Sequence, residues 1–311
     1  MKRFQNKAAE SRLALPVVTM FATGIWLLNG LITEQWYAQL AILFISTYLM
    51  AEMNNAYALL QTCSRMVSCS FLALSSMSVF LIPQTRVSVC MLSLIMFCTI
   101  IFHTYQDRES QGLAFNAFLC LGVASVAFVQ ILFFVPFVWL MMLFYLMAFN
   151  GRMLAASLLG LLMPYWLLAL PIMYFGKGQA LLQHFTEIAH FQPLFHYENL
   201  TLNQIISFVF VAILALQSIT HYILKGQLDR IRTRMFYHFF IGLDVLTVVF
   251  MILQPQHFNM LFGMMITCTC PMLAHFITHT HSRLSNIMFY TMIVCLLLIT
   301  AFNLWMPSST F

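Results

Sequence analysis

The sequence predicts an all-α integral membrane protein with about eleven transmembrane helices and one amphipathic helix, at about 178–191, on the outer membrane surface. Of its 311 residues, 62% are hydrophobic and only 7% are charged, whereas soluble domains carry about 25% charged residues. Apolar runs long enough to cross a bilayer recur along the whole chain. Lys and Arg are concentrated in the gaps between those runs. We therefore expect residues 1–311 to form a single polytopic transmembrane domain, with no soluble domain.

A transmembrane helix needs about 20 mainly apolar residues, and eleven stretches meet or approach this length. The stretch at 113–149 is too long for one crossing, so we divide it near Gln130. Pro164 and Pro171 predict a kink in the seventh span. The predicted spans are 13–32, 38–53, 66–82, 87–106, 113–129, 131–149, 153–175, 204–224, 235–253, 260–279 and 284–306.

The distribution of basic residues orients these spans. The rule that Lys and Arg favour cytoplasmic connections places the N-terminal run, which contains Lys2, Arg3, Lys7 and Arg12, in the cytoplasm. Alternation then puts twelve of the fourteen basic residues on the cytoplasmic side. With eleven spans, the C-terminus is expected outside.

Arg86 and Lys177 are the two basic residues predicted on the outer side. A cationic side chain at headgroup level can hold a lipid phosphate, and contact with ordinary anionic lipid is the simpler alternative. Glu34 is the only acid in the first outer loop, at 33–37. The simpler interpretation is that Glu34 is a surface carboxylate without a functional role.

The longest hydrophilic segment, 176–203, is also predicted outside. Its apolar residues recur at helical spacing and include Leu181, Leu182, Phe185, Ile188 and Ala189. This pattern indicates an amphipathic helix lying on the membrane surface. Glu187 is three residues from both His184 and His190, so these groups lie near one face. They could act as acid and base toward a substrate at headgroup level, or form only a solvated polar face.

Asp244 is ten residues beyond Arg234, which corresponds to about 15 Å into the membrane. A carboxylate at this depth is costly and is a functional candidate. We expect it to be protonated or bonded to a neighbour such as Thr247 or Thr267. A structural hydrogen bond between helices is the alternative.

The tenth span carries sulfur and imidazole along one line: Met260, Met264, Cys268, Met272, His275 and His279. Such ligands suit a soft metal such as Cu(I), and imidazoles four residues apart can share one ion. His238 and His221 are expected at similar depth on neighbouring spans. Packing explains the methionines more simply, so we predict no metal and no cofactor. His275, His279 and Cys268 remain the candidate ligands.

Two stretches, 55–77 and 121–152, carry a resemblance to known proteins. In the first, Ser64-Arg65 precedes a span of small residues. In the second, Ala124-Ser125 precedes a pair of aromatic-rich apolar segments that ends at Asn150-Gly151-Arg152. The chain resembles an uncharacterised family of bacterial polytopic inner-membrane proteins. The resemblance implies the bacterial inner membrane as its location.

The second stretch is also similar to a helical hairpin of membrane glycosyltransferases that use polyprenyl-phosphate sugars. That resemblance implies a catalytic acid in the first outer loop, matched by Glu34, and outer basic residues that hold the lipid phosphate, matched by Arg86 or Lys177. The first outer loop is much shorter here than in those enzymes.

These observations favour a protein that handles a lipid-linked glycan at the outer face, by glycosyl transfer, polymerisation or movement of the carrier. Glu34 or Glu187 would be the base, and Arg86 and Lys177 the phosphate ligands. One alternative is a transporter, proton-coupled through Asp244 or specific for a soft metal. Another is a non-catalytic subunit of an envelope complex. Membrane lipid, a polyprenyl-phosphate-linked glycan and a protein partner are the expected contacts, and no nucleic acid is expected.

Overall fold

The computed structural model describes residues 4–62, 64–174, 178–189, 197, 200–226 and 229–305, and over these residues it contains helices and turns but no strand. Each apolar stretch predicted to cross the membrane is mainly helical, because only internal hydrogen bonds can satisfy a backbone placed in lipid. The α-helices are α1 (Phe4–Glu10), α2 (Ala14–Leu28), α3 (Tyr37–Tyr57), α4 (Met66–Met77), α5 (Thr85–Ile101), α6 (Gln111–Ala127), α7 (Phe134–Met141), α8 (Gly151–Tyr174), α9 (Gly178–Thr186), α10 (Leu202–Lys225), α11 (Ile231–Leu253), α12 (Phe258–His279) and α13 (Arg283–Trp305).

Seven helical segments of the described chain are long and apolar enough to cross a bilayer. They are Thr85–Thr104, Val129–Leu146, Gly151–Ile172, Leu202–Lys225, Ile231–Leu253, Pro255–His279 and Arg283–Trp305. The helices α4 and α6 are apolar but have only 12 and 17 residues, while α1 and α2 form a pair bent by 90°. The protein is therefore a multi-span helical membrane protein, and the count of about eleven spans is not confirmed.

The long apolar stretch at 113–149 is divided where the sequence predicts. The helix α6 ends at Ala127, and Phe128 adopts an extended conformation. Gln130 lies in the 3₁₀ turn Val129–Phe133, which leads into α7. A π-helical turn, Met142–Leu146, then completes the second half. The break at Gln130 is thus confirmed.

The predicted amphipathic segment at about 178–191 is helical over its described residues, 178–189, but it changes from an α-helix to a 3₁₀ turn before its end. The helix α9 ends at Thr186, and Glu187 begins the single 3₁₀ turn Glu187–Ala189. His190 and residue 191 lie outside the described residues. Glu187 is therefore presented by a tight turn at the end of a helix rather than by the middle of one.

The helix α12 is the centre of the bundle. Every residue from Leu261 to Thr278 is buried, and α4, α5, α10 and α11 pack against it. Gly263 lets α5 approach closely, because an added Cβ would lie 2.9 Å from Val87 and 3.0 Å from Met91. The hydroxyl of Ser70 on α4 donates to the Cys270 carbonyl at 3.3 Å. The helix α12 is therefore held on several sides.

The helices α6 and α8 also pack unusually closely, and two glycines allow it. A Cβ added at Gly122 would lie 2.8 Å from the Leu161 carbonyl oxygen, and one added at Gly160 would collide with the Phe115 carbonyl oxygen. Small residues are the usual means by which helix backbones approach each other in membranes. The pair α6 and α8, with α5 beside it, forms one flank of the bundle.

The two ends of the bundle differ in charge. The C-terminal end of α12 meets the connection between α10 and α11, where His275 contacts Asp229. In the described part of the chain, every Lys and Arg except Arg86 belongs to the connections and helix termini on this side, which we call the basic end. The opposite side is the Arg86 end. The helix α12 joins the two over about 33 Å, close to the thickness of a hydrocarbon core.

Candidate functional site

A polar cavity of about 290 Å³ lies at the Arg86 end. The start of α5, the 3₁₀ turn after α6, the turn that follows α9 and the start of α12 enclose it. We call it the Arg86 cavity. Its lining residues are Gln84, Arg86, Ala127, Phe128, Val129, Gln130, Glu187, Gln256, His257, Asn259 and Met260.

Two of the residues that the sequence singles out, Arg86 and Glu187, meet in this cavity although they are about one hundred positions apart. Arg86 is exposed, and no hydrogen bond or ion pair joins it to another described residue. The side-chain amide of Gln130 donates to the backbone carbonyl of Glu187 at 3.2 Å. This bond holds the Glu187 turn against the break between α6 and α7.

His257 is a third ionisable group in the cavity, and it was not identified from the sequence. Its Nε2 atom is buried without a hydrogen-bond partner among the described residues. Its ring lies edge-on to Phe128, with centroids 5.2 Å apart. A buried polar atom without a partner calls for an explanation, such as a ligand or water that completes it. The sequence signal would have been its place in a short polar turn, between Leu253 and Phe258.

An apolar groove of about 500 Å³ adjoins the cavity. It runs between α5, α6 and α8 on the flank of the bundle, and Arg86 and Ala127 line both spaces. The remaining groove residues are Thr85, Val89, Val123, Val126, Pro164, Leu167 and Leu168. Leu167 is 60% exposed on the lipid-facing surface. A charged group thus stands where a polar cavity meets an apolar groove.

The other predicted outer residues are placed differently. Glu34 lies in the turn between α2 and α3, where its backbone N–H donates to the Gly30 carbonyl at 2.9 Å, and it is not among the residues that line the cavity. Lys177 lies outside the described residues. The Nε2 atom of His184 is 3.1 Å from the Ser125 carbonyl oxygen, so this imidazole anchors α9 to α6.

Asp244 is buried in the middle of α11, with only 1% of its surface exposed. The hydroxyl of Thr269 on α12 donates to its Oδ1 atom at 3.1 Å. The sequence suggested Thr247 or Thr267 instead, but those hydroxyls donate to carbonyls of their own helices. Asp244 therefore links α11 to the central helix.

A second polar cluster lies at the basic end. The Nε2 atom of His275 is 3.0 Å from Oδ2 of Asp229, and Gln61 donates to the other oxygen of that carboxylate at 2.8 Å. The rings of His275 and His279 stack with centroids 4.2 Å apart. We call these residues the His275 cluster. Asp229 was not identified from the sequence, where its only signal is a lone acid within a run of basic residues.

Among the other residues that the sequence singles out at this depth, His221 lies next to the His275 cluster. The ring of His221 lies 5.9 Å from that of His275. His238 lies further away, with its Nδ1 atom 2.6 Å from the Arg234 carbonyl oxygen. Cys268 is buried but precedes His275 by two helical turns, about 10 Å.

No protein-family model, curated protein or solved structure matches this chain. The arrangement of its own residues therefore carries the functional interpretation.

Proposed function

We propose that the Arg86 cavity binds the headgroup of a phosphate-bearing lipid, of the class of polyprenyl-phosphate-linked glycans, at the outer face of the bacterial inner membrane. The single observation that carries this proposal is the position of Arg86 at the junction of a polar cavity and an apolar groove. Amphiphilic substrates have the same sequence of parts: a polar headgroup, a charged linkage and an apolar chain.

Arg86 is suited to the phosphate. A guanidinium presents several N–H donors in a planar fork and can bind a phosphate through two parallel hydrogen bonds. Arg86 forms no ion pair within the described residues, so the fork is not already engaged. Lys177 stays a second proposed phosphate ligand by its place in the sequence.

The rest of the cavity is suited to a sugar. Sugar hydroxyls both donate and accept hydrogen bonds, and side-chain amides offer both functions. Gln84, Gln130, Gln256 and Asn259 supply such amides, and the buried nitrogen of His257 adds another polar atom. The groove between α5, α6 and α8 supplies an apolar surface for the chain of the lipid.

Glu187 is the proposed general base if the protein transfers sugars. It is the one carboxylate among the described residues that line the cavity. A base must come within about 3 Å of the proton it removes, which favours Glu187 over Glu34. Movement of the carrier without chemistry would need Arg86 and the groove, but not a base.

The test is lipid binding by purified protein, with polyprenyl phosphate and the uncharged polyprenol as probes. We expect Arg86→Gln to weaken binding of the phosphate by at least about tenfold, because a hydrogen bond to a charged group contributes about 1.5–3 kcal/mol. Binding of the polyprenol should be unchanged. Arg152→Gln, an exposed arginine at the basic end, is the matched control. Equal binding of the phosphate by wild type and Arg86→Gln would exclude this role.

A proton-coupled transporter is the second candidate function, and the burial of Asp244 favours it. A carboxylate near the middle of a span can bind and release a proton as helices move. The hydrogen bond from Thr269 to Asp244 would then depend on how α11 packs against α12. Proton uptake by proteoliposomes, compared between wild type and Asp244→Asn, tests this function directly.

A further inference from the structure

We infer that Asp229, His275 and His279 form a binding site for a divalent transition metal ion of the Zn²⁺ class at the basic end of the bundle. This site lies at the opposite end of α12 from the Arg86 cavity and does not depend on the function proposed there. It also differs from the expectation drawn from the sequence, which was no metal, with His275, His279 and Cys268 as candidate ligands of a soft ion.

The spacing of the three groups is close to that of a coordination shell. One ligand atom from each residue can be chosen so that all three lie within 4.8 Å of one another. Ligands at 2.0–2.1 Å from a tetrahedral zinc lie about 3.3 Å apart. The Nε2 atom of His275 and Oδ2 of Asp229 are already 3.0 Å apart, and a ligand atom of His279 would move inward to complete the set.

The backbone that presents these ligands is largely preorganised. His275 and His279 are four residues apart on α12, the arrangement by which one helix presents two imidazoles to one ion. The helix α12 is buried on all sides up to Thr278. Asp229 comes from the connection between α10 and α11, and Gln61 orients its carboxylate from the connection after α3. Hydrogen bonds of this kind tune and orient metal ligands.

His221 offers a candidate fourth ligand. Both of its ring nitrogens are buried and have no hydrogen-bond partner among the described residues, although its ring is only 5.9 Å from that of His275. Buried imidazole nitrogens are normally satisfied, and a metal ion bound by His221 would satisfy one of its two nitrogens.

The surroundings and the ligand types favour a borderline divalent ion. The rings of Tyr222 and Tyr237 lie 5.0 and 5.1 Å from His275, so the site has a largely aromatic wall. Its donors are two imidazoles and a carboxylate, which suit Zn²⁺ better than Cu(I) because no thiolate takes part. The carboxylate also offsets part of the charge of the ion.

The test is titration of the full-length, chelator-treated protein in detergent with Zn²⁺ alone. We expect saturable binding to a single class of site and a rise in melting temperature when Zn²⁺ binds. Asp229→Asn and His279→Gln should each weaken Zn²⁺ affinity by at least about tenfold. His103→Gln, an exposed histidine at the same end, is the matched control and should leave the affinity unchanged.

Wild-type protein without saturable Zn²⁺ binding would overturn the inference, and so would Asp229→Asn and His279→Gln variants with wild-type affinity. A second measurement needs no variant. Co²⁺ bound by wild-type protein should give a visible ligand-field absorption band that Zn²⁺ then removes. If saturating Co²⁺ produces no such band, the three residues form only a hydrogen-bonded tie and the inference fails.

Discussion

The Arg86 cavity and the His275 cluster lie at opposite ends of the same helix, and both collect charged and imidazole side chains, but they are built in opposite ways. In the Arg86 cavity, Arg86 and Glu187 are exposed and line a space of about 290 Å³ that continues into an apolar groove. In the His275 cluster, Asp229 and His275 are bonded to each other, with only 5% and 3% of their side chains exposed.

This difference indicates two separate roles for polar groups in a mostly apolar bundle. Groups that remain open at the edge of lipid are available to a molecule that arrives from the membrane. Groups that are closed on one another connect segments distant in sequence, here α12 with the connections after α3 and α10. We therefore expect changes at the basic end to affect stability first, and changes at the Arg86 end to affect binding or activity first.

The largest effect is expected from His275→Ala. The change removes one hydrogen-bond partner of the buried Asp229 carboxylate and a buried side chain of α12, and a loss of this kind costs about 3 kcal/mol. Thermal unfolding in detergent measures the loss, and His103→Ala at an exposed position of the same end is the control. Equal destabilisation by both variants would contradict the stabilising role of the His275 cluster.

The next largest effect concerns activity at the Arg86 end. If the protein transfers sugars, Glu187→Gln should slow transfer about 100-fold, as expected when a general base is lost, with little change in lipid binding or stability. Glu34→Gln is the control, because Glu34 does not line the cavity. Assays of transfer and binding on the same preparations measure both quantities. A larger loss with Glu34→Gln would place the acid in the first outer loop instead.

A third variant tests whether the apolar groove and the His275 cluster act independently. Gly160→Ala forces α6 and α8 apart, because the new methyl group collides with the Phe115 carbonyl, and overpacking of this kind costs about 1–3 kcal/mol. Gly24→Ala, where nothing lies within 4 Å of the added atom, should be neutral or stabilising. We expect Gly160→Ala to reduce binding of polyprenyl phosphate and to leave Zn²⁺ affinity unchanged. A loss of Zn²⁺ affinity would show that the two ends are coupled.

The smallest effect is expected midway between the ends. In Asp244→Asn, the amide oxygen can still accept the hydrogen bond from Thr269, so stability should change by no more than about 1 kcal/mol. Thermal unfolding measures this change. A loss of several kcal/mol would mean that the carboxylate has a partner that an amide cannot keep.

Much of the local structure could be predicted from the sequence, because helix formation in lipid follows from hydropathy alone. The break at Gln130 was predictable from length. The number of crossings was not, since α3 carries Glu52, Asn54 and Asn55 and α4 has only 12 residues. Hydropathy identifies a helix but does not establish whether that helix spans the bilayer.

The candidate sites were predictable only in part. His275, His279 and His221 could be grouped by their depth in neighbouring spans, and Arg86 and Glu187 by their shared side of the membrane. Asp229 and His257 were missed because both belong to short connections, whose positions depend on the packing of α12 against its neighbours. The central position of α12 in the bundle was also not predicted. Its span has a mean hydropathy of 1.7, below that of the other candidate spans, which is the one sequence signal of its burial.

Native mass spectrometry of the protein purified with its own membrane lipids tests the central claim most directly, with wild type and Arg86→Gln compared side by side. We predict a co-purified lipid with the mass of a polyprenyl-phosphate-linked glycan on the wild type, and much less of it on Arg86→Gln. Wild-type protein that carries only bulk phospholipid, to the same extent as the variant, would contradict the assignment of the Arg86 cavity as a lipid-headgroup site.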